Sequence, residues 1–431
     1  IVNDKVRRIL RVAEFTGRLD NPEEQPEKTN DLEEDHALIR RSGAEGMVLL
    51  KNNSVLPFQV DKLKKLAVIG PNALKGQYLG GGSAALNPHY VVHPLEGINN
   101  AVSDVEVSFA KGCHTHKFLP SIPKELLNEG KGYKVEFFDG QEFAGSPVET
   151  KYLEGGKFWA LGGFGLDIVS NSKKPSLSVR FSGILKPEVS GEYNFEIFSI
   201  GPSRLFIDDE DLIDNWSSQE PGDAFFGMGS KAKRGQKILE SGKEYTIHVE
   251  YKWEGRFPAV QIGMLAPDDH DLMEAAVNLA KKSDATILLV GTNSDWETEG
   301  NDRDSLLLPL RQNELIEKVC KANKNTVVVL NTGSPCEMPW NDEANAILQC
   351  WFPGQEFGNS LADIIFGKVN PSGKLPTTFP IKLEDTPAYN TYPGKDLQMD
   401  YEEGLYIGYR WYEKENITPL YPFGHGLSYT S

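Results

Sequence analysis

Two hydrophobic periods divide this chain. The short apolar run Leu66-Ala67-Val68-Ile69 ends in Gly70-Pro71, the pattern of a buried strand that stops at a ligand-facing edge. The same grammar returns late in the chain. A helical face of Leu272, Ala276, Leu279 and Ala280 precedes Thr286-Ile287-Leu288-Leu289-Val290-Gly291, and Leu315, Ile316 and Val319 precede Thr326-Val327-Val328-Val329-Leu330. Strands alternating with helices predict right-handed crossovers and an α/β sandwich around a mainly parallel sheet. In between, the period falls to two. Leu177, Val179 and Phe181 alternate with polar residues, as do Tyr193, Phe195, Ile197 and Tyr245, Ile247, Val249, Tyr251. That predicts an all-β sandwich over about 133–265, set between α/β pieces near 32–125 and 266–431. The expected class is α/β plus all-β.

The first residues read differently. Val6, Ile9 and Leu10 have helical spacing among arginines, so an amphipathic helix is expected there, packing on a segment that precedes it in a longer protein. Residues 19–31, polar and Pro-containing, read as a linker. Asn30 or Asp31 then caps a helix through Leu38 and Ile39, leading to the apolar run Met47-Val48-Leu49-Leu50.

A formal net charge of -17 argues against nucleic acid or an anionic membrane as partner. No apolar run approaches the roughly 18–20 residues of a membrane span. Four scattered cysteines (Cys113, Cys320, Cys336, Cys350) make neither a disulfide scaffold nor a zinc knuckle. Cys113-His114-Thr115-His116 reads as an ordinary loop, so no metal site is expected. The N-x-Ser/Thr triplets at Asn52, Asn215 and Asn416 do not establish secretion, and the compartment is left open.

Two loops carry candidate chemistry, because ligands of parallel α/β sheets sit beyond the carboxyl ends of strands. In Leu79-Gly80-Gly81-Gly82-Ser83-Ala84-Ala85 three glycines let a ligand approach the backbone and the Ser83 hydroxyl, unless the loop is only a flexible turn. The loop after Gly291 holds Asp295, Glu297, Glu299 and Asp302 with Trp296 and Arg303. Clustered carboxylates are expected to raise one another's pKa, as a general acid near neutral pH requires. A tryptophan face suits a pyranose ring. The bland alternative is a solvated acidic loop with Asp302 and Arg303 as a structural pair.

At these loops the chain resembles family 3 glycoside hydrolases. Glu299-Gly300-x-Asp302-Arg303 resembles their acid/base loop, and Gly80–Ala84 with Asn87-Pro88-x-Tyr90-Val91-Val92-x-Pro94 resembles their substrate-edge loop. Similar motifs follow in Glu45–Asn52, Asn370–Pro376, Tyr401–Arg410 and Pro422–Tyr429. The inserted β region resembles a PA14 module, with Leu205–Asp214 like its signature hairpin. Family 3 β-glucosidases with a PA14 insert are known, notably among yeasts. Some PA14 lectins bind calcium through an Asp pair; Asp208-Asp209 is read here as a plain turn.

The resemblance implies a retaining glycosidase without metal or cofactor, removing terminal β-D-glucosyl residues from β-glucosides and cello-oligosaccharides. Glu299 is then the acid/base, with Glu297 in reserve. Ser83 bonds a glycone hydroxyl and Trp296 lines the aglycone side. The nucleophile would lie in an N-terminal (β/α)8 barrel, of which residues 1–18 are the end. Ser294-Asp295-Trp296 repeats the letters of the family's nucleophile motif in the wrong domain, so Asp295 is not assigned. In Pro221–Gly227 the adjacent Phe225 and Phe226 would point to opposite faces of a strand. Either they form a platform at the acceptor subsite, or one fills the core and the other is incidental. A β-xylosidase, a non-catalytic carbohydrate-binding fragment and assembly into a homo-oligomer stay open.

Overall fold

The computed structural model describes residues 1–24, 26, 28–159, 176–253, 257–267 and 271–430. Residues 1–38 and 39–431 are two compact units. In the first, the helix Val2–Phe15 forms as expected and has no buried residue, so Val6, Ile9 and Leu10 stand exposed.

The second unit carries a six-stranded sheet in the order Val48–Asn52, Ala346–Gln349, Thr326–Asn331, Ala285–Gly291, Lys65–Ile69, Glu106–Ala110. Four of the five pairings are parallel. The apolar run after Met47 is the antiparallel edge strand, the one departure from the parallel pattern. Every residue of Ala285–Gly291 is buried. Side chains alternate along it: Ile287 and Leu289 join Ile98, Phe357 and Leu361, while Leu288 and Val290 join Ala276, Leu315 and Val319. Helices cover both faces, and for that reason the strand reads as an unbroken apolar run rather than an alternating one. Each such side chain contributes about 1.5–3 kcal/mol by leaving water.

Between Glu106–Ala110 and Ala285–Gly291 the chain builds two antiparallel sheets. One runs Glu210–Asn215, Ser203–Ile207, Tyr245–Trp253, Leu177–Leu185, Tyr133–Asp139, Glu149–Leu153; the other runs Lys233–Leu239, Gly191–Ile200, Ala259–Leu265, Lys157–Trp159. The period-two residues Val179, Phe181, Phe195, Ile197, Val249 and Tyr251 face each other in one core. The hairpin Ser203–Ile207/Glu210–Asn215 turns on Asp208 and Asp209, both with positive φ, and the Asp208 carboxylate accepts from the N–H and hydroxyl of Thr246 at 2.8 and 3.1 Å. A carboxylate occupied in this way closes a turn.

Glu196 ties the antiparallel region to the segment that follows strand Glu106–Ala110. Its fully buried carboxylate takes Arg234 Nε at 2.7 Å and the N–H of Leu119 at 2.7 Å, so the buried charge is compensated on both oxygens. Among the described residues no helix is long and apolar enough to cross a membrane.

Candidate active site

The strands Lys65–Ile69 and Ala285–Gly291 are direct neighbours, so the loops leaving their carboxyl ends meet. Asn331, at the end of the next strand, pins the glycine loop. Its Oδ1 accepts from the Gln77 N–H at 2.7 Å and from Asn72 Nδ2 at 3.1 Å, and its Nδ2 donates to the carbonyls of Gln77 and Trp351 at 2.9 and 2.6 Å. Sequence reasoning missed this residue. Its one local signal is a polar side chain closing an otherwise apolar strand.

The two loops then lock together through backbone and carboxylate. The Gly81 N–H donates to the Glu297 carbonyl at 3.1 Å, and the Ser83 N–H donates to Glu299 Oε2 at 2.9 Å. Gly82 has φ +72°, and a Cβ there would fall 2.5 Å from Glu299 Cβ. Only glycine permits that approach.

The three carboxylates nearest this junction differ in environment. Glu299 is exposed, and the hydroxyl and N–H of Ser83 hold its pKa below the usual glutamate value. Glu297, two residues earlier, is turned inward. Its Oε1 accepts from Thr292 Oγ1 at 2.8 Å and lies 3.6 Å from Arg303 Nη1, while burial outweighs these partners and raises its pKa. Burial also raises Asp295. The expectation that neighbouring carboxylates raise one another is therefore corrected: desolvation lifts two of them, and hydrogen bonds from Ser83 lower the third. Arg303 pairs with Glu297, and Asp302 accepts from the Tyr392 hydroxyl, so the alternative of an Asp302–Arg303 structural pair gives way to these two contacts.

Glu299 and Asp295 face a cleft of about 480 Å³ between the glycine loop and the antiparallel region. Phe225 and Phe226 line its far side. They do not sit in a strand: both have left-handed backbone (φ +53° and +60°) in a short turn after Asp223. The Phe225 ring packs on Phe198 at a tilt of 42° with centroids 5.4 Å apart, and Phe226 is 39% exposed against Gly300. Trp296 is not among the lining residues; its indole N–H donates to the Thr115 carbonyl at 2.8 Å.

Among the described residues no cluster of His, Cys, Asp or Glu is arranged to hold a metal ion. Lys111 Nζ sits 2.8 Å from His114 Nδ1, and burial pushes the Cys113 thiol up to about 12. Asn215 is fully buried with its amide on Ser199, Ser203 and Ser230, which leaves it closed to glycosylation.

Parallel strands thus end in loops that bring carboxylates to a cleft lined on its far side by two phenylalanines, the shape of an α/β sandwich with a site at its strand ends. The particular family follows from comparison: residues 47–429 match the glycosyl hydrolase family 3 C-terminal domain, and the chain belongs to that family. A β-glucosidase of Rhizobium radiobacter is 40% identical over all of this chain and 52% of its own length. A probable β-glucosidase I of Emericella nidulans is 39% identical over all of this chain and 53% of its own. The crystal structure of the Kluyveromyces marxianus β-glucosidase is similar with TM-score 0.87 and 36% identity, over all of this chain and 53% of that one; the same enzyme has been solved in complex with glucose. This chain thus spans about half the length of the curated relatives it matches.

Proposed function

We propose that this chain is part of a β-glucosidase that hydrolyses terminal β-D-glucosyl residues in two steps with retention, and that Glu299 is its general acid and base. The observation that carries the reading is the position of Glu299: its carboxylate faces the cleft at the meeting point of the glycine and acid loops. Glu297 is spent on Thr292 and Arg303, which disfavours the reserve assignment. A retaining mechanism needs a second carboxyl group about 5–5.5 Å away. We assign that nucleophile to residues outside this chain, since the relatives are about twice as long.

In the first step Glu299 protonates the leaving oxygen while the nucleophile takes the anomeric carbon. In the second it removes a proton from the incoming water. Ser83 orients Glu299 and offers its hydroxyl to the sugar. We read the antiparallel region as a PA14 module with borders near 133 and 265, and Phe225 and Phe226 as a platform for the acceptor sugar; their place in the lining of the cleft that Glu299 faces supports this. Residues 1–18 are read as the end of a barrel. The test is hydrolysis of 4-nitrophenyl β-glucoside and cellobiose by the full-length protein, with the anomer released followed by NMR. Release of β-glucose first supports the reading; no turnover, or release of α-glucose first, overturns it.

A further inference from the structure

Lys117 leaves the segment after strand Glu106–Ala110 and ends between two elements that otherwise belong to different layers. Its Nζ lies 2.5 Å from Oδ2 of Asp223, the residue that opens the aromatic turn, and 5.5 Å from the ring centre of Trp296 in the acid loop. The lysine side chain is 17% exposed, so most of its stem and part of its charge are shielded from water. Trp296 is itself held two residues from Lys117, through its indole N–H on the Thr115 carbonyl. Beside this chain of contacts runs an aromatic one: Phe118 on Phe198 at 4.4 Å and Phe198 on Phe225 at 5.4 Å.

The two sets of contacts differ in what they fix. The two ring pairs, tilted by 35° and 42°, hold the layers through dispersion spread over many small atom contacts and carry no net charge. An ammonium held between a carboxylate and an aromatic face attracts both elements at once, so a single side chain ties the aromatic turn to the acid loop. A slide of the aromatic turn moves Phe226, which rests against Gly300, the residue after Glu299. The position of the turn therefore sets the opening beside the acid/base carboxylate.

We propose that Lys117 is a specificity-determining positioning residue: it straps Asp223 to Trp296 and so fixes the gap between Phe226 and Glu299 that receives the leaving group. The inference rests on the glycosidase reading above. It also gives Trp296 a role other than sugar stacking, as the base of the strap.

The experiment uses the full-length protein with Lys117→Met, Lys117→Arg, Asp223→Asn and the Lys117→Met/Asp223→Asn double variant. Two quantities are read: the ratio of kcat/KM for cellobiose to that for 4-nitrophenyl β-glucoside, and hydrogen exchange of residues 221–229. Lys117→Met should change the ratio about three- to tenfold and speed exchange in the turn, with kcat on the nitrophenyl substrate near that of the unmodified protein. Lys117→Arg should restore both. The double variant should shift the ratio no further than Lys117→Met alone, because either change breaks the same strap. An unchanged ratio, unchanged exchange, or effects that multiply in the double variant would each overturn the proposal. If the unmodified protein cleaves neither substrate, the glycosidase reading fails, while exchange in the turn still decides whether Lys117 holds it. Should Lys117→Met not fold, Asp223→Asn carries the same exchange expectation and the same refutation.

Discussion

The Ser83 backbone N–H donates to Glu299 Oε2 at 2.9 Å across 216 residues of sequence. This contact and the Ser83 hydroxyl hold the Glu299 carboxyl below the ordinary glutamate range, because both favour the charged form. Removing the hydroxyl removes a donor to the charged form, which raises the pKa. A general acid must be protonated to act, so Ser83→Ala should move the basic limb of the kcat/KM profile to higher pH. A pH profile of the full-length variant checks the direction. A basic limb that stays put or moves lower contradicts the role given to Ser83.

Glu299→Ala should lower kcat most where the leaving group needs a proton. For an alkyl β-glucoside the loss expected is about 10²–10⁴-fold. For 2,4-dinitrophenyl β-glucoside, whose leaving group departs as a stable anion, the first step should change little. Equal losses on both substrates would remove Glu299 from the acid role.

Glu297 offers a stability test, because burial raises its pKa from the ordinary 4.5. Below that value the group is protonated in folded and unfolded chain alike. As pH rises, the unfolded chain ionises first and the folded state is penalised, so this group subtracts stability at higher pH. Glu297→Gln removes the titration while keeping a partner for Thr292. Its Tm relative to the unmodified protein should climb from about pH 4 to about pH 7, as followed by scanning calorimetry. A constant difference would show that Arg303 fully offsets the burial.

Phe225 and Phe226 are adjacent but should behave differently. Phe225, half-buried against Phe198, should cost about 1–3 kcal/mol when replaced by alanine, below the range for a fully buried phenylalanine. Phe226, more exposed and set at Gly300, should leave stability nearly unchanged. Its replacement should instead change selectivity among cello-oligosaccharides of different length by about three- to tenfold. Denaturant melts and kinetics on cellobiose and cellotriose separate the two effects, and identical behaviour of the two variants would argue against a platform.

Much of the architecture was legible without coordinates. A change of period between Phe109 and Tyr133, and back before Ala285, announced two kinds of sheet, because side-chain alternation reports directly which faces are covered. The edge strand Val48–Asn52 was legible as an apolar run, but its antiparallel direction was not, since pairing direction depends on where the chain has come from. Within the acid loop the sequence singled out Glu299 only by its likeness to a family motif. Nothing local separated it from Glu297.

Sequence alone therefore determined the layer architecture, the family and the short list of carboxylates. Tertiary structure decided which carboxylates of the acid loop meet the cleft: Asp295 and Glu299 line it, while Glu297 turns toward Thr292 and Arg303. It also decided that Phe225 and Phe226 form a left-handed turn and that Trp296 packs on Thr115 and Lys117. The reason is physical. Periodicity is written by neighbours a few positions apart, whereas burial, ion pairing and a carboxyl's proton affinity are set by segments distant along the chain, and no local pattern records which of them arrive together.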